Sequence, residues 1–276
     1  MEIFVRYPAF FEVHTSLIPQ ALESFVKCIH DSHPRVKARS WYQFLRFVKH
    51  LRQHMGEITE TILGAMSDLL VIRAELPAVT EEEDMSSDSG KNEDATFDTQ
   101  LHLFETVGVL SAAPGLPIDK QKAFITSVLE PLFADIQAHL GAAENGDARA
   151  VLQIHHNIMA LGTVGKGYSD WGSNVKITTP PPEIVVKEFV RATEAILIAL
   201  DRLSKFSPIR EASRFSFTRM VGVLGPEILP YLPRWISGLM VESSSKGEIS
   251  MFLKLLEQIV HSFKVRIHRS LLSLPI

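Results

Sequence analysis

DSHPRVKARSWYQFLRFVKHLRQ, residues 31–53, carries two periodicities at once. Pro34 suits the first turn of a helix, where a missing N–H leaves no bond unmade. Val36, Phe44, Leu45, Val48 and Leu51 then recur at helical spacing and predict a buried stripe. Arg35, Arg39, Tyr42, Arg46, Lys49 and Gln53 follow one another at intervals of three or four, which puts four cations and an aromatic ring on one face. That face is expected to look outward.

The same helical period extends in both directions. Residues 1–13 read as an aromatic-rich helix interrupted at Pro8, and 16–30 and 57–75 as further helices. Beyond them, helical patterning is predicted at 100–110, at 118–140 with a bend at Pro131, and at 147–161. It continues at 183–203, 206–223, 226–241, 247–264 and 265 to the end. Nowhere do apolar residues alternate with period two beside a hairpin turn, so the expected class is all-α. Two stretches break the pattern. Residues 77–97 are acidic, Ser-rich and poor in large apolar side chains, and are expected to form a disordered insertion. GTVGKGYSDWGSN, with glycines at 162, 165, 167 and 172, is expected to be a loop that ends the preceding helix.

Helices joined by short turns, in a chain too long for one bundle, point to internal repetition. Pairing them gives units starting near residues 16, 56, 118, 182 and 225, in a single array over residues 1–276. Their sizes suit HEAT-type units, and the expected architecture is an arched α-solenoid of antiparallel helix pairs. Asp31 followed by Val36-Lys37 fits the opening of a HEAT second helix, and Ile209-Arg210-Glu211-Ala212 echoes it. At that position Lys37 and Arg210 are expected to bond the neighbouring unit.

Composition narrows the function. The chain has 276 residues, 46% hydrophobic and 22% charged, enough to build a core. Its net charge of −4 is an average over unlike parts: seven acids against Lys91 alone lie between Glu81 and Asp94, and the remainder is mildly basic. The single cysteine, Cys28, excludes an internal disulfide framework and a multi-cysteine zinc site. Met1 opens directly into a helical pattern, which predicts an intracellular, soluble protein with no secretory leader. No stretch offers the ~20 apolar residues of a membrane span. The apolar final residues predict a fragment of a longer array.

GTVGKG lacks the spacing and the Ser or Thr of a phosphate-binding loop, and follows a helix rather than a strand. The pairs His50/His54 and His155/His156 bring neither the Glu of an HExxH motif nor a third ligand. No nucleophile elbow is present. The expectation is a non-enzyme with no cofactor, no metal and no catalytic residue.

The order of VRYPAFF, the PRVKARSWYQFLRFVKHLRQHM helix, QLHLFETVGVL after an acidic gap, VLEPLF and RFSFTRMVGVLGPEILPYLP resembles the central part of the exportin-T family. These are karyopherin-β receptors that carry transfer RNA out of the nucleus with the GTPase Ran in its GTP form. The resemblance implies a solenoid whose second helices line a concave surface around RNA and Ran. It also implies passage through the nuclear pore by contact with pore proteins, and shuttling between nucleus and cytoplasm. It makes Arg35, Arg39, Tyr42, Arg46 and Lys49 candidate RNA contacts, with Arg210, Arg214 and Arg219 on a second concave helix. Guanidinium and ammonium groups on successive helices can follow a phosphate backbone without reading bases. Glu81, Glu82, Glu83 and Asp84 are expected to be a solvated connector, or else a contact for the basic surface of Ran. The reading set against RNA carriage is a HEAT scaffold that holds protein cargo only.

Overall fold

A computed structural model of the chain describes residues 1–76, 92–169 and 181–272, and among these every regular element is a helix. The α-helices are α1 (Glu2–Arg6), α2 (Pro8–Val13), α3 (Ile18–Ile29), α4 (Pro34–His50), α5 (Thr59–Met66) and α6 (Asn92–Ser111). They continue as α7 (Ile118–Glu144), α8 (Ala148–Ser169), α9 (Glu183–Leu203), α10 (Ser207–Leu224), α11 (Leu232–Leu239) and α12 (Lys246–Leu272), with short 3₁₀ turns between several. Their ends follow local chemistry. Proline occupies the first turn of α2, α4 and α10. Asp147 Oδ1 caps α8 by accepting the N–H groups of Arg149 at 2.9 Å and Ala150 at 3.1 Å. Gly225, at φ +55, closes α10.

The helices pack as successive pairs, α3/α4, α5/α6, α7/α8 and α9/α10, which makes the fold a helical-repeat solenoid. One layer holds the first helix of each pair, with α11 continuing it against α9. The other holds the second helices, α4, α6, α8 and α10 side by side, with α12 reaching α10. The two apolar cores meet at α6: Phe97, Phe104 and Ala112 face the core that runs on toward Ile259, while Leu103, Val107, Val109, Leu110 and Ala113 face the one built around Phe25, Phe44 and Phe47.

Glycine sets the spacing of the second layer. A Cβ on Gly108 of α6 would collide with the carbonyl of Val164, and one on Gly167 of α8 with the main chain of Gly108 and Val109. A Cβ on Gly162 would strike Ser216 of α10, whose hydroxyl donates to the carbonyl of Ile158 at 2.7 Å. This corrects the expected loop: α8 runs unbroken through Gly162, Gly165 and Gly167 to Ser169. Each glycine costs a helix about 1 kcal/mol against alanine. Here close helix approach offsets that. Gly172 lies outside the described residues.

Further expectations change. Residues 246–272 form one helix, α12, rather than two. Helix α6 begins at Asn92, so the last residues of the expected insertion are helical. Val36 is 39% exposed, while Trp41 and Phe47, off the expected stripe, are buried, because α1, α3 and α6 all pack on α4 and bury more than one face. Helix α7 contains Pro131 without interruption.

The helix expected over 57–75 is also shorter: α5 ends at Met66, a 3₁₀ turn spans Ser67–Leu70, and residues 71–76 leave the helix yet are firmly held. The Gln153 side-chain amide donates to the Ile72 carbonyl at 3.1 Å and accepts the Ala74 N–H at 2.7 Å. Arg149 donates to the Ala74 carbonyl at 3.1 Å, and Gln100 donates to the carbonyls of Leu69 and Val71 at 2.8 and 3.1 Å.

Candidate nucleic-acid interface

The cationic face of α4 divides in two. Toward its start, Arg35 is exposed and Arg39 is tied back to α1, donating to Glu2 Oε1 at 2.6 Å from Nη2. Toward its end the face turns to α6. The Tyr42 ring, 38% exposed, lies 5.2 Å from that of His102, and the exposed Arg46 guanidinium sits 5.8 Å from the Tyr42 ring centre. Lys49 forms an ion pair with Oε1 of Glu105 on α6.

Glu105 is the hinge of the arrangement. Its other oxygen, Oε2, takes Lys166 of α8 at 3.0 Å, so one carboxylate joins three neighbouring second helices. Burial holds His102, one turn earlier, below the usual imidazole value, with Glu105 pulling the other way, so it is neutral near pH 7. On α10, Arg219 lies 3.6 Å over the Phe215 ring and donates to the Phe215 carbonyl at 3.1 Å. Burial lowers its pKa and the charge of Glu105 opposes that shift. Arg46, Lys49, Lys166 and Arg219 thus lie on three neighbouring second helices, with Lys49 and Lys166 paired to Glu105 and Arg219 within reach of its charge. Such a row can hold phosphate oxygens through charge-assisted hydrogen bonds, and Tyr42 adds an exposed ring against which a base can stack.

Arg210 and Arg214 lie elsewhere. Arg210 is 2% exposed, and its five N–H groups meet Glu248 Oε1 and Oε2, the carbonyls of Ser204 and Ser243, and Ser243 Oγ, at 2.7 to 3.2 Å. Arg214 donates to the same Glu248 at 2.9 Å. Glu248 also caps α12: its Oε2 accepts the Ser245 N–H at 2.7 Å and its own N–H donates to Ser245 Oγ at 3.2 Å, a reciprocal capping box. The hydrogen bond from Arg210 leads the causes that hold its carboxyl at about 2. The two arginines therefore join α10 to the next unit, the role anticipated for Arg210, and their donors are turned inward. Of the candidate residues of α10, these two lie apart from Lys49, beside which the structure places Lys166 instead.

Sequence reasoning missed Glu105, His102 and Lys166. Lys166 stood inside a run read as a loop, and Glu105 among apolar residues of α6. Recognising the small residues at 162, 165 and 167 as a helix-packing face would have placed Lys166 on a helix. Glu81, Glu82, Glu83 and Asp84 lie outside the described residues. Among the described residues no group of three or more His, Cys, Asp or Glu side chains is placed to hold a metal, and no helix is long and apolar enough to cross a membrane.

Stacked helix pairs presenting a cationic row on one layer define a helical-repeat scaffold of the kind that holds an extended or folded partner. The Exportin-T family model matches residues 1–275, and the chain belongs to that family. It is 50% identical over 278 residues to Exportin-T of Sclerotinia sclerotiorum, covering 99% of this chain and 27% of that protein. Exportin-T of Neurospora crassa is 52% identical over 274 residues, covering 98% of this chain and 27% of that one. Exportin-T of Podospora anserina is likewise 52% identical, over 266 residues. The chain spans about a quarter of the length of these curated relatives.

Proposed function

We propose that this chain is part of a nuclear export receptor that binds folded transfer RNA together with Ran in its GTP form, and that the second-layer row supplies part of the RNA contact. In this reading the receptor shuttles between nucleus and cytoplasm through contacts with pore proteins. Family membership supports the transport role. The observation that carries the RNA contact is the row itself: Lys49 of α4 and Lys166 of α8 both pair with Glu105, and Arg219 of α10 feels the same carboxylate, so cations from three second helices are gathered on one layer. Helix spacing supports it as well. Second helices α6, α8 and α10 approach through glycines, whereas α5 and α7 of the first layer leave between them a cavity of about 520 Å³. In an arched array the more tightly packed layer is the one expected on the inner side.

Phosphate contacts release counterions, so each lost contact flattens the salt dependence of binding by about one unit of log K per unit of log salt. Full-length receptor carrying Arg46→Glu, Lys49→Gln, Glu105→Gln and Lys166→Gln, which removes the cations without leaving the buried carboxylate unpaired, is expected to lose transfer RNA binding while keeping its helical circular dichroism. Binding retained at unchanged salt slope rejects this row as an RNA surface and favours protein cargo.

A further inference from the structure

We propose that Glu105 is a positioning residue for the ligand of this row: it fixes Lys49 and Lys166 at one mutual distance, so that a rigid, folded polyphosphate is taken in preference to a flexible one. The proposal rests on the reading that this face binds RNA.

The side chain of Glu105 is 6% exposed, while those of Lys49 and Lys166 are 31% and 35% exposed. The carboxylate thus lies deeper than the two part-exposed lysine side chains that pair with it. A carboxylate so placed is stable only when paired, and both oxygens are engaged by cations from different helices. The two Nζ atoms can stand no farther apart than the width of a carboxylate and two hydrogen bonds. The frame beneath them is stiff. Leu103, Phe104, Thr106 and Val107 around Glu105 are 0% exposed, and Gly167, next to Lys166, touches the main chain of Gly108, one turn from Glu105.

An untethered lysine has four rotatable bonds and loses their freedom on binding a phosphate. Tethering on Glu105 removes that loss beforehand, but only for a ligand whose phosphates are already set at the matching spacing. A flexible strand adapts to lysines in any arrangement and gains little from the tether. The buried negative charge meanwhile weakens attraction to every polyanion. Together the two effects turn a merely sticky pair of lysines into a selective one.

The test compares full-length receptor, Glu105→Gln and Glu105→Asp for binding to transfer RNA and to poly(U), with Lys49→Gln/Glu105→Gln/Lys166→Gln, which leaves no buried charge unpaired, as reference. Glu105→Gln keeps the shape and removes the charge; Glu105→Asp keeps the charge but cannot reach both lysines. Both variants should lower the ratio of transfer RNA to poly(U) affinity by about fivefold, the ordering cost of one long side chain. Only Glu105→Gln should also bind poly(U) more tightly. An unchanged ratio in both variants, or a wild-type ratio in Glu105→Asp, overturns the proposal. If the reference variant has lost transfer RNA binding, the RNA face survives that failure. If the reference variant binds normally, the RNA face itself is rejected, and the proposal falls with it.

Discussion

The two layers of the array are held by different physics. In the second layer, α6, α8 and α10 touch through glycines, and a Cβ at Gly108, Gly162 or Gly167 would overlap a neighbour. In the first, α7 and α9 are joined by Glu130–Arg191 at 2.5 Å and Glu144–Arg202 at 2.8 Å, α9 and α11 by Asp201–Arg234 at 2.5 Å, and α5 and α7 by Glu60–Lys120 at 2.7 Å. These pairs are solvent-exposed, and the apolar cavity lined by Leu63, Val128 and Leu132 separates two of the helices they tie. One layer is a fixed seam. The other is a set of adjustable links.

The hardest blow to that contrast is aimed at Glu248. Glu248→Ala leaves Arg210 buried without its counter-charge and uncaps α12, and should lower stability by about 3 to 5 kcal/mol in a chemical unfolding measurement. Gly167→Ala places a methyl group in the main chain of α6 and should lower stability by about 3 kcal/mol, the upper part of the range for overpacked cores. A loss below about 1 kcal/mol, no more than the helix preference of alanine can hide, shows that the seam yields.

Acid should sharpen the picture. Glu248 has its carboxyl at about 2 in the folded chain against an ordinary 4.5, so its contribution is complete above pH 4.5 and disappears as the pH falls toward 2. His156, stacked on Phe97 at 3.7 Å between ring centres, is pushed down from 6.5 to about 3, chiefly by burial and then by His155. The unfolded chain takes up that proton first, so stability also falls as the pH drops from 6.5 toward 3. Melting temperature should therefore decline from pH 6.5 downward. His156→Phe should flatten the upper part of that decline and Glu248→Gln the lower. A wild-type profile in both variants would falsify these assignments.

The smallest effect belongs to the links. Arg234→Ala or Glu130→Ala should cost about 0.5 kcal/mol or less, and 1 M salt should shift stability by a similar amount. A loss comparable to that of Gly167→Ala erases the distinction between the layers.

Much of this fold is legible in the sequence because side-chain periodicity records which face of each helix is covered. Phe44, Leu45, Val48 and Leu51 are buried as their spacing implies, and α9 occupies the expected 183–203. Arg210 was legible through its place in the repeat. What periodicity cannot record is contact made by the absence of a side chain. Gly162, Gly165 and Gly167 are punctuation in a single strand of text and a packing surface only beside α6 and α10, which lie far off in sequence. The candidate site was half legible for the same reason. Tyr42, Arg46 and Lys49 share one helix, whereas Glu105 and Lys166 join them only through tertiary packing.

Gln153 offers one amide to the chain at Ile72 and Ala74 much as a neighbouring β-strand would, and Gln100 moors Leu69 and Val71 from the far bank. Both moorings are made by helices, α8 and α6, so residues 69–74 are fixed to the array without help from the chain that follows them. The register of α6, and with it the seat of Glu105, gains an anchor from the same bonds.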